Sequence, residues 1–232
     1  QQTLREALPH EQGHYTGSLA SSSPVTDGTH LFVSFGSFGL YCLSLDGTLV
    51  WQADFGPLQS LHGHGEGSSP ALAQDTLVVN WDHEGASFIA ALDKRTGNVR
   101  WKAPRNEVTS WATPIIVEHA GKSQVVVSGT SRVRGYDLDT GQVLWECGGL
   151  SSNIVASPVY GEGMVFAGTG HGFFYSLDDG KSWKQFKDTL PAAPVNFIEV
   201  PKNAPEVAIA TYGRGIWILR DAWALEHEDT LT

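Results

Sequence analysis

SSPALAQDTLVVNWDHEGASFIAALDKRTGNVRW, residues 68–101, holds a Ser-Pro pair, an apolar run TLVVNW, a second run ASFIAAL, and an Asp-to-Gly turn that closes on a Trp. Short runs rich in β-branched and aromatic residues, separated by Gly and Asp turns, read as strands of an antiparallel sheet. Working outward, small-residue-plus-proline pairs recur at Ser23-Pro24, Ser69-Pro70, Thr113-Pro114, Ser157-Pro158 and Ala193-Pro194, at spacings of 46, 44, 44 and 36. Two short strands follow each pair. In the first four units a turn and a Trp-bearing strand come next, at Trp51, Trp101, Trp145 and Trp183.

Four strands, A to D, in roughly 45 residues are the length and content of one propeller blade. Proline suits the start of strand A, because an inner edge loses few ladder bonds when an N–H is missing. The expected fold is all-β, a five-bladed β-propeller with blades at about 20–54, 67–103, 111–147, 155–187 and 193–220. The fifth unit has only three strands, and QQTLREAL at residues 1–8 belongs to no blade of its own. Pairing residues 1–8 with the fifth unit would close the ring and remove an open edge. Residues 1–223 then form one domain, and the polar tail 224–232 frays. Trp51, Trp101, Trp145 and Trp183 are structural, each burying a large ring where two sheets meet.

The chain carries 15 basic and 25 acidic residues, a net charge of −10. Nucleic-acid backbones and anionic membranes are repelled by such a surface, so neither is an expected partner. No run approaches the ~18 apolar residues of a membrane helix. The expected state is a monomer. Starting at Gln1 fits a removed export signal, with a periplasmic or secreted location, or an excised piece. Cys42 and Cys147 lie in different blades, and their spacing neither requires nor forbids a disulfide.

From residue 1 to about 170 the chain resembles bacterial proteins with pyrroloquinoline-quinone-type propeller repeats. LDKRTGNVRW, YDLDTGQVLWECGG and ASPVYGEGMVFAG carry that resemblance. The family includes quinoprotein alcohol dehydrogenases and an outer-membrane assembly lipoprotein, so the resemblance implies the fold and leaves enzyme or scaffold open. From about residue 171, SLDDGKSW resembles the Asp-box, Ser-x-Asp-x-Gly-x-Ser/Thr-Trp, and ATYGRGIWIL resembles the closing blade of sialidase-like or sortilin-like propellers. In an Asp-box the carboxylate, here Asp178, binds local backbone N–H groups and the Trp packs beneath; its role is structural. Two propeller families joined inside the fourth blade read as an engineered or truncated combination.

The loops joining D to A and B to C share one propeller face, and six of the nine histidines fall there: His10, His14, His62, His64, His83 and His171. Glu84, Arg132, Tyr212 and Arg214 complete the candidate ligand-binding set; Glu11, Glu66, Asp82 and Arg105 lie on the same face. His62-x-His64 are the candidate ligands for a divalent metal, zinc or copper. A sialidase-like reading would give Arg132 and Arg214 the substrate carboxylate, Tyr212 the nucleophile's role and Glu84 the acid's; no paired-carboxylate geometry can be read from such loops. A quinone is not expected, because the resembled dehydrogenases use a calcium-binding carboxylate set and adjacent cysteines, whereas these two cysteines are far apart. The sequence therefore favours a non-catalytic scaffold or binding module for a protein or small polar ligand. The alternative is a hydrolase or lyase acting on a glycan or small polar substrate at the His-rich face.

Overall fold

The computed structural model describes residues 2–119, 121–148, 150, 154–161, 163–169, 172–178, 182–186, 190–191, 193–201, 205–222 and 224–225. Nineteen strands form five antiparallel sheets among these residues. Sheet one holds β1 (Val25–Thr26), β2 (His30–Ser34), β3 (Leu40–Ser44) and β4 (Leu49–Ala53). Sheet two holds β5 (Ala71–Ala73), β6 (Thr76–Trp81), β7 (Phe88–Asp93) and β8 (Val99–Pro104). Sheet three holds β9 (Ile115–His119), β10 (Lys122–Ser128), β11 (Arg132–Asp137) and β12 (Val143–Gly148). Sheet four holds β13 (Val159–Gly161), β14 (Met164–Thr169), β15 (Gly172–Ser176) and β16 (Lys184–Gln185). Sheet five holds only β17 (Val195–Glu199), β18 (Val207–Thr211) and β19 (Gly215–Leu219). No helix among the described residues is long and apolar enough to cross a membrane.

Each first strand begins at the residue after its proline, at Val25, Ala71, Ile115, Val159 and Val195. The small residue before that proline has a second task. Ser23 N–H donates to Ser69 Oγ at 2.9 Å, Ser69 N–H to Thr113 Oγ1 at 3.0 Å, and Thr113 N–H to Ser157 Oγ at 2.9 Å. The hydroxyls thus form a relay from sheet to sheet. Ala193 has no hydroxyl, so the relay has no acceptor side chain there.

The tryptophans make a second lock. Cys42, Ala91 and Gly135 stand opposite Trp51, Trp101 and Trp145, each beside a register shift that turns the outer strand. A small partner leaves room for the indole, and a bulge re-aims it. Trp51 donates its Nε1–H to Lys94 O, and Trp101 donates to Leu138 O, both at 2.8 Å and both in the next sheet. Gly97 and Gly141 lie beneath these rings at φ +73° and +72°, and a Cβ built there would fall 2.7 and 2.5 Å from the indole. Glycine is required twice over at these turns, for the left-handed backbone and for the ring above it. Trp145 departs from the pattern: it lies over Gly135 of its own sheet and donates to Gln124 Oε1 at 2.9 Å. Trp145 and Trp183 both pack against the apolar cluster of Val126, Val133, Val165 and Ala167, between sheets three and four.

Four apolar clusters join sheet one to two, two to three, three to four and four to five. Two expectations change. Residues 2–9 form no strand, and sheet five keeps three strands. The amino-terminal segment lies along sheet one, where Arg5 donates to Phe38 O at 3.2 Å and meets Asp54 at 3.3 Å. Arg5 finds a carboxylate and a carbonyl there, and QQTLREAL has Thr3 as its single β-branched residue, a poor strand former. At the other end, Leu225 is buried in the cluster between sheets four and five and not frayed; residues 226–232 lie outside the described residues.

Candidate functional site

The loops that join the sheets are cross-linked by carboxylates used in one recurring way. Glu11 accepts from Ser60 N–H at 2.7 Å and from Ser60 Oγ at 2.5 Å. Glu66 accepts from Ser37 N–H at 2.7 Å and also from the Ser37 hydroxyl. Glu84 accepts from Thr109 N–H at 3.1 Å and Thr109 Oγ1 at 2.7 Å. Glu107 accepts from Ser131 N–H and Ser131 Oγ, both at 2.7 Å. In every case one hydroxyl residue of a neighbouring loop gives both its donors to one carboxylate. Such charge-assisted bonds are about twice as strong as neutral ones, and they satisfy loop N–H groups that no ladder reaches. Burial raises the Glu66 carboxyl above its ordinary range against the lowering effect of the Ser37 bonds.

Beneath the loops lies a buried polar network. Arg105 donates from Nε to Asp82 Oδ1 at 2.7 Å, from Nη2 to Asp82 Oδ2 at 2.9 Å, and from Nη1 to Tyr136 Oη at 2.8 Å. Both charged side chains are fully excluded from solvent. Ser110 Oγ adds a bond to Asp82 at 2.7 Å, and Asn80 Nδ2 approaches Asp82 and Ser110 at 3.3 Å. Burial lowers the Arg105 pKa, but the Asp82 charge and bonds more than reverse this and hold the guanidinium protonated. Burial likewise pushes the Tyr136 phenol up. Arg134 donates to Glu107 at 2.5 Å and to Glu146 at 2.9 Å, and Glu146 also takes Arg132 at 2.5 Å.

The predicted site residues are therefore dispersed. His10 contacts Leu58 O at 2.7 Å through Nε2. His83 accepts from Gln59 N–H at 3.3 Å through Nδ1. Arg132 is paired with Glu146, and Glu84 is held by Thr109. Tyr212 is 73% exposed, and Arg214 uses its carbonyl to accept the Trp217 indole N–H at 2.9 Å. His171 lies outside the described residues. One cluster does form: Gly13 and His14 N–H groups donate to Gly63 and His64 carbonyls, setting the His14 ring 4.9 Å from His64. His62 follows at 5.5 Å from His64, on a backbone with φ +58°. Among the described residues no three His, Cys, Asp or Glu side chains are grouped to hold a metal ion. Cys42 and Cys147 are free thiols in sheets one and three.

A narrow cleft of about 30 Å³ runs between sheets one and two, lined by Ser22, Ser34, Ser69, Asn80, Asp82 and Trp111 among others. Asn80 Oδ1 and Ser22 Oγ are buried there without a protein partner. The volume holds one or two waters and not a sugar. Sequence reading placed Asp82 and Arg105 on this face but missed their pairing. The signal was that an Arg directly after the β8 proline and an Asp directly after β6 end the two strands that flank β7, at the same end of the sheet.

The fold is shared with solved structures. BamB from Moraxella catarrhalis superposes with a TM-score of 0.66 at 14% identity, over 88% of this chain and 59% of that one. Quinohemoprotein alcohol dehydrogenase from Comamonas testosteroni superposes with a TM-score of 0.65 at 12% identity, over 87% of this chain and 41% of that one. In sequence, subunit 1 of the cytochrome c methanol dehydrogenase of Methylorubrum extorquens is 24% identical over 212 residues, 78% of this chain. The chain spans 33% of that relative's length. The family model described as outer membrane protein assembly factor BamB matches residues 3–188 and again 85–221. With hydroxyl relay, Trp-bearing turns and four-stranded sheets all falling within that match, the chain belongs to the family of the outer membrane protein assembly factor BamB.

Proposed function

We propose that this chain is a non-catalytic β-propeller scaffold whose loop face binds a protein or a small polar ligand. One observation carries the reading: the carboxylates of that face, Glu11, Glu66, Glu84 and Glu107, each hold a Ser or Thr of a neighbouring loop, and Asp82 is locked to Arg105. Groups bonded in this way serve shape, and a general acid or nucleophile needs a lone pair or proton to spend. A quinone with its divalent ion does not fit these residues, because the carboxylates that would converge on it are already spent between loops.

We also infer that the joint between two propeller types lies within sheet four. Ser182 N–H and Oγ donate to Asp178 at 2.8 and 2.7 Å, and Ser176 Oγ donates at 3.0 Å, which supports an Asp-box hairpin. The hydroxyl relay reaches Ser157, ahead of sheet four, and meets Ala193 at the next position. An unbroken genomic reading frame carrying both parts would count against an engineered or truncated origin.

The functional test is turnover and thermal shift against a panel of oligosaccharides, divalent metals and quinone. A ligand that prefers the folded state raises Tm. The scaffold reading expects no turnover on any of them. Hydrolysis or elimination that disappears in the Arg132→Ala and Tyr212→Phe variants would replace it with the enzyme reading.

A further inference from the structure

The cleft between sheets one and two carries acceptors that the chain itself leaves unused. Asn80 is 5% exposed, and its Nδ2 donates to Asp82 Oδ2 and to Ser110 Oγ, both at 3.3 Å. A carboxylate can only accept, so this bond fixes which end of the amide is nitrogen. The other end, Oδ1, is then a true acceptor, buried and without a donor among the described residues. Ser22 Oγ, from the loop ahead of sheet one, lines the same cleft and is buried and unpartnered as well. Native proteins pair nearly all such groups, so each one left over points to a further partner.

Charge selects that partner. Half-buried Glu66 also lines the cleft. Ser37 gives it two hydrogen bonds but no charge, and the one basic group described within 4 Å is the His10 ring, at 3.9 Å. Burial raises its carboxyl, as expected of an anion short of compensation. Asp82 is already neutralised by Arg105, so the Glu66 charge is the one left over. No Lys, Arg or His stands among the described residues that line the cleft, and Trp81 and Trp111 add indole rings, which attract cations. The Trp111 indole N–H is spent on Gly65 O at 2.8 Å and does not compete as a donor.

Size narrows the choice further. A cleft of about 30 Å³ admits one or two heavy atoms, and the exposed Leu19 and Ser21 border it on the solvent side. One ammonium nitrogen carries three donors, matching Asn80 Oδ1, Ser22 Oγ and Glu66, while a narrow alkyl chain behind it can leave past Leu19. We propose that this cleft captures a primary ammonium group, on a small alkylamine or a lysine side chain, through Asn80, Ser22 and Glu66. The proposal rests on the reading of the loop face as a binding surface, and it names the chemistry which that face selects.

The test is titration calorimetry and thermal shift on the 232-residue chain at pH 8, with n-butylammonium chloride against tetramethylammonium chloride at equal ionic strength. Butylammonium should bind and raise Tm, whereas tetramethylammonium, with the same charge and no N–H, should do neither. Ser22→Ala removes a hydroxyl without a partner and keeps the fold; it should weaken butylammonium about threefold, and Glu66→Gln roughly tenfold or more. Two peptides separate the sources of the ammonium, one with a central lysine and one with that lysine acetylated. A lysine peptide that binds until it is acetylated extends the site to a protein's lysine, and binding of butylammonium alone confines it to free amines; both results support the assignment. Equal binding with KCl gives the cleft to an alkali ion, and no binding by any probe leaves it to water; either result overturns the assignment. So does an affinity for butylammonium that Ser22→Ala and Glu66→Gln leave unchanged. Turnover of the bound amine would overturn the scaffold reading while supporting ammonium capture, so the two failures are told apart.

Discussion

Gly141→Ala tests whether the docked indole locks one sheet to the next. Gly141 has φ +72°, and its added Cβ would sit 2.5 Å from the Trp101 ring carbons. The left-handed backbone alone costs an L-residue ~1–2 kcal/mol, partly offset by ~0.4–1 kcal/mol from a stiffer unfolded chain. Gly121 in the same sheet isolates that part, since its φ is +75° and nothing lies within 4 Å of a built Cβ. Gly121→Ala is thus expected to cost about 1 kcal/mol. At Gly141 the indole must move. Overpacking adds ~1–3 kcal/mol. Losing the 2.8 Å bond from Trp101 Nε1 to Leu138 O strands a buried donor, for ~1–3 kcal/mol more. The expected total is about 3–7 kcal/mol. For a chain of this size Tm falls by ~2–4 °C per kcal/mol, so calorimetry should show a drop of roughly 15 °C for Gly141→Ala against ~3 °C for Gly121→Ala. In a Trp101→Leu background the two substitutions should cost the same, because only the backbone part remains. Equal costs in the native background would refute the lock.

Asp82→Ala strands the fully buried Arg105 charge and should lose about 3–5 kcal/mol in urea denaturation, whereas Arg132→Ala, at a half-exposed pair, should lose under ~1 kcal/mol. Acid lability should come from the hairpin turns: the Arg100 bond holds Asp93 down at about 2, and the Thr140 hydroxyl lowers Asp137. The stabilisation from Asp93 is complete above the ordinary carboxylate value of ~3.9 and fades as pH falls through about 2, so Asp93→Asn should flatten Tm against pH in that window. Half-buried Glu66 works in the opposite sense: its carboxyl is raised, so its contribution is full below the ordinary range and declines as pH rises through the raised value. Glu66→Gln should remove that decline from the same titration. Burial pushes the Cys42 thiol up to about 11, so an aromatic disulfide reagent at pH 8 should leave Cys42 unmodified until denaturant is added. Rapid labelling of Cys42 in the native protein would contradict its place in the core.

The repeat was legible because each signal has a local cause. Proline at the start of a first strand, Asp at the head of a turn and Gly under an indole are demanded by backbone chemistry within a few residues, so Pro70, Asp93 and Gly97 announce themselves. Partners across sheets were not legible. Ser69 reads as a generic small residue before proline, yet its hydroxyl takes an N–H from a residue 46 positions earlier. Glu84 reads as a free acid on a ligand face until Thr109 is seen beside it. The amino terminus was misplaced for a related reason: closure of the ring is an argument from topology, and the contacts of Arg5 with Phe38 and Asp54 are decided by side chains that topology does not see.

The locks also explain why chemistry is scarce on the loop face. A repeat sheet cannot bury both its faces alone, so its stability rests on its neighbours. Sheets one to two and two to three are joined by an apolar cluster, a hydroxyl relay and a docked indole. Sheets three to four keep the cluster and the relay, but Trp145 is bonded within its own sheet. Sheets four to five have the apolar cluster with Ala193 at the relay position. Loop carboxylates reinforce the first three sheets, where Glu66, Glu84 and Glu107 all lie. Such carboxylates cannot serve a reaction without loosening the sheets they tie.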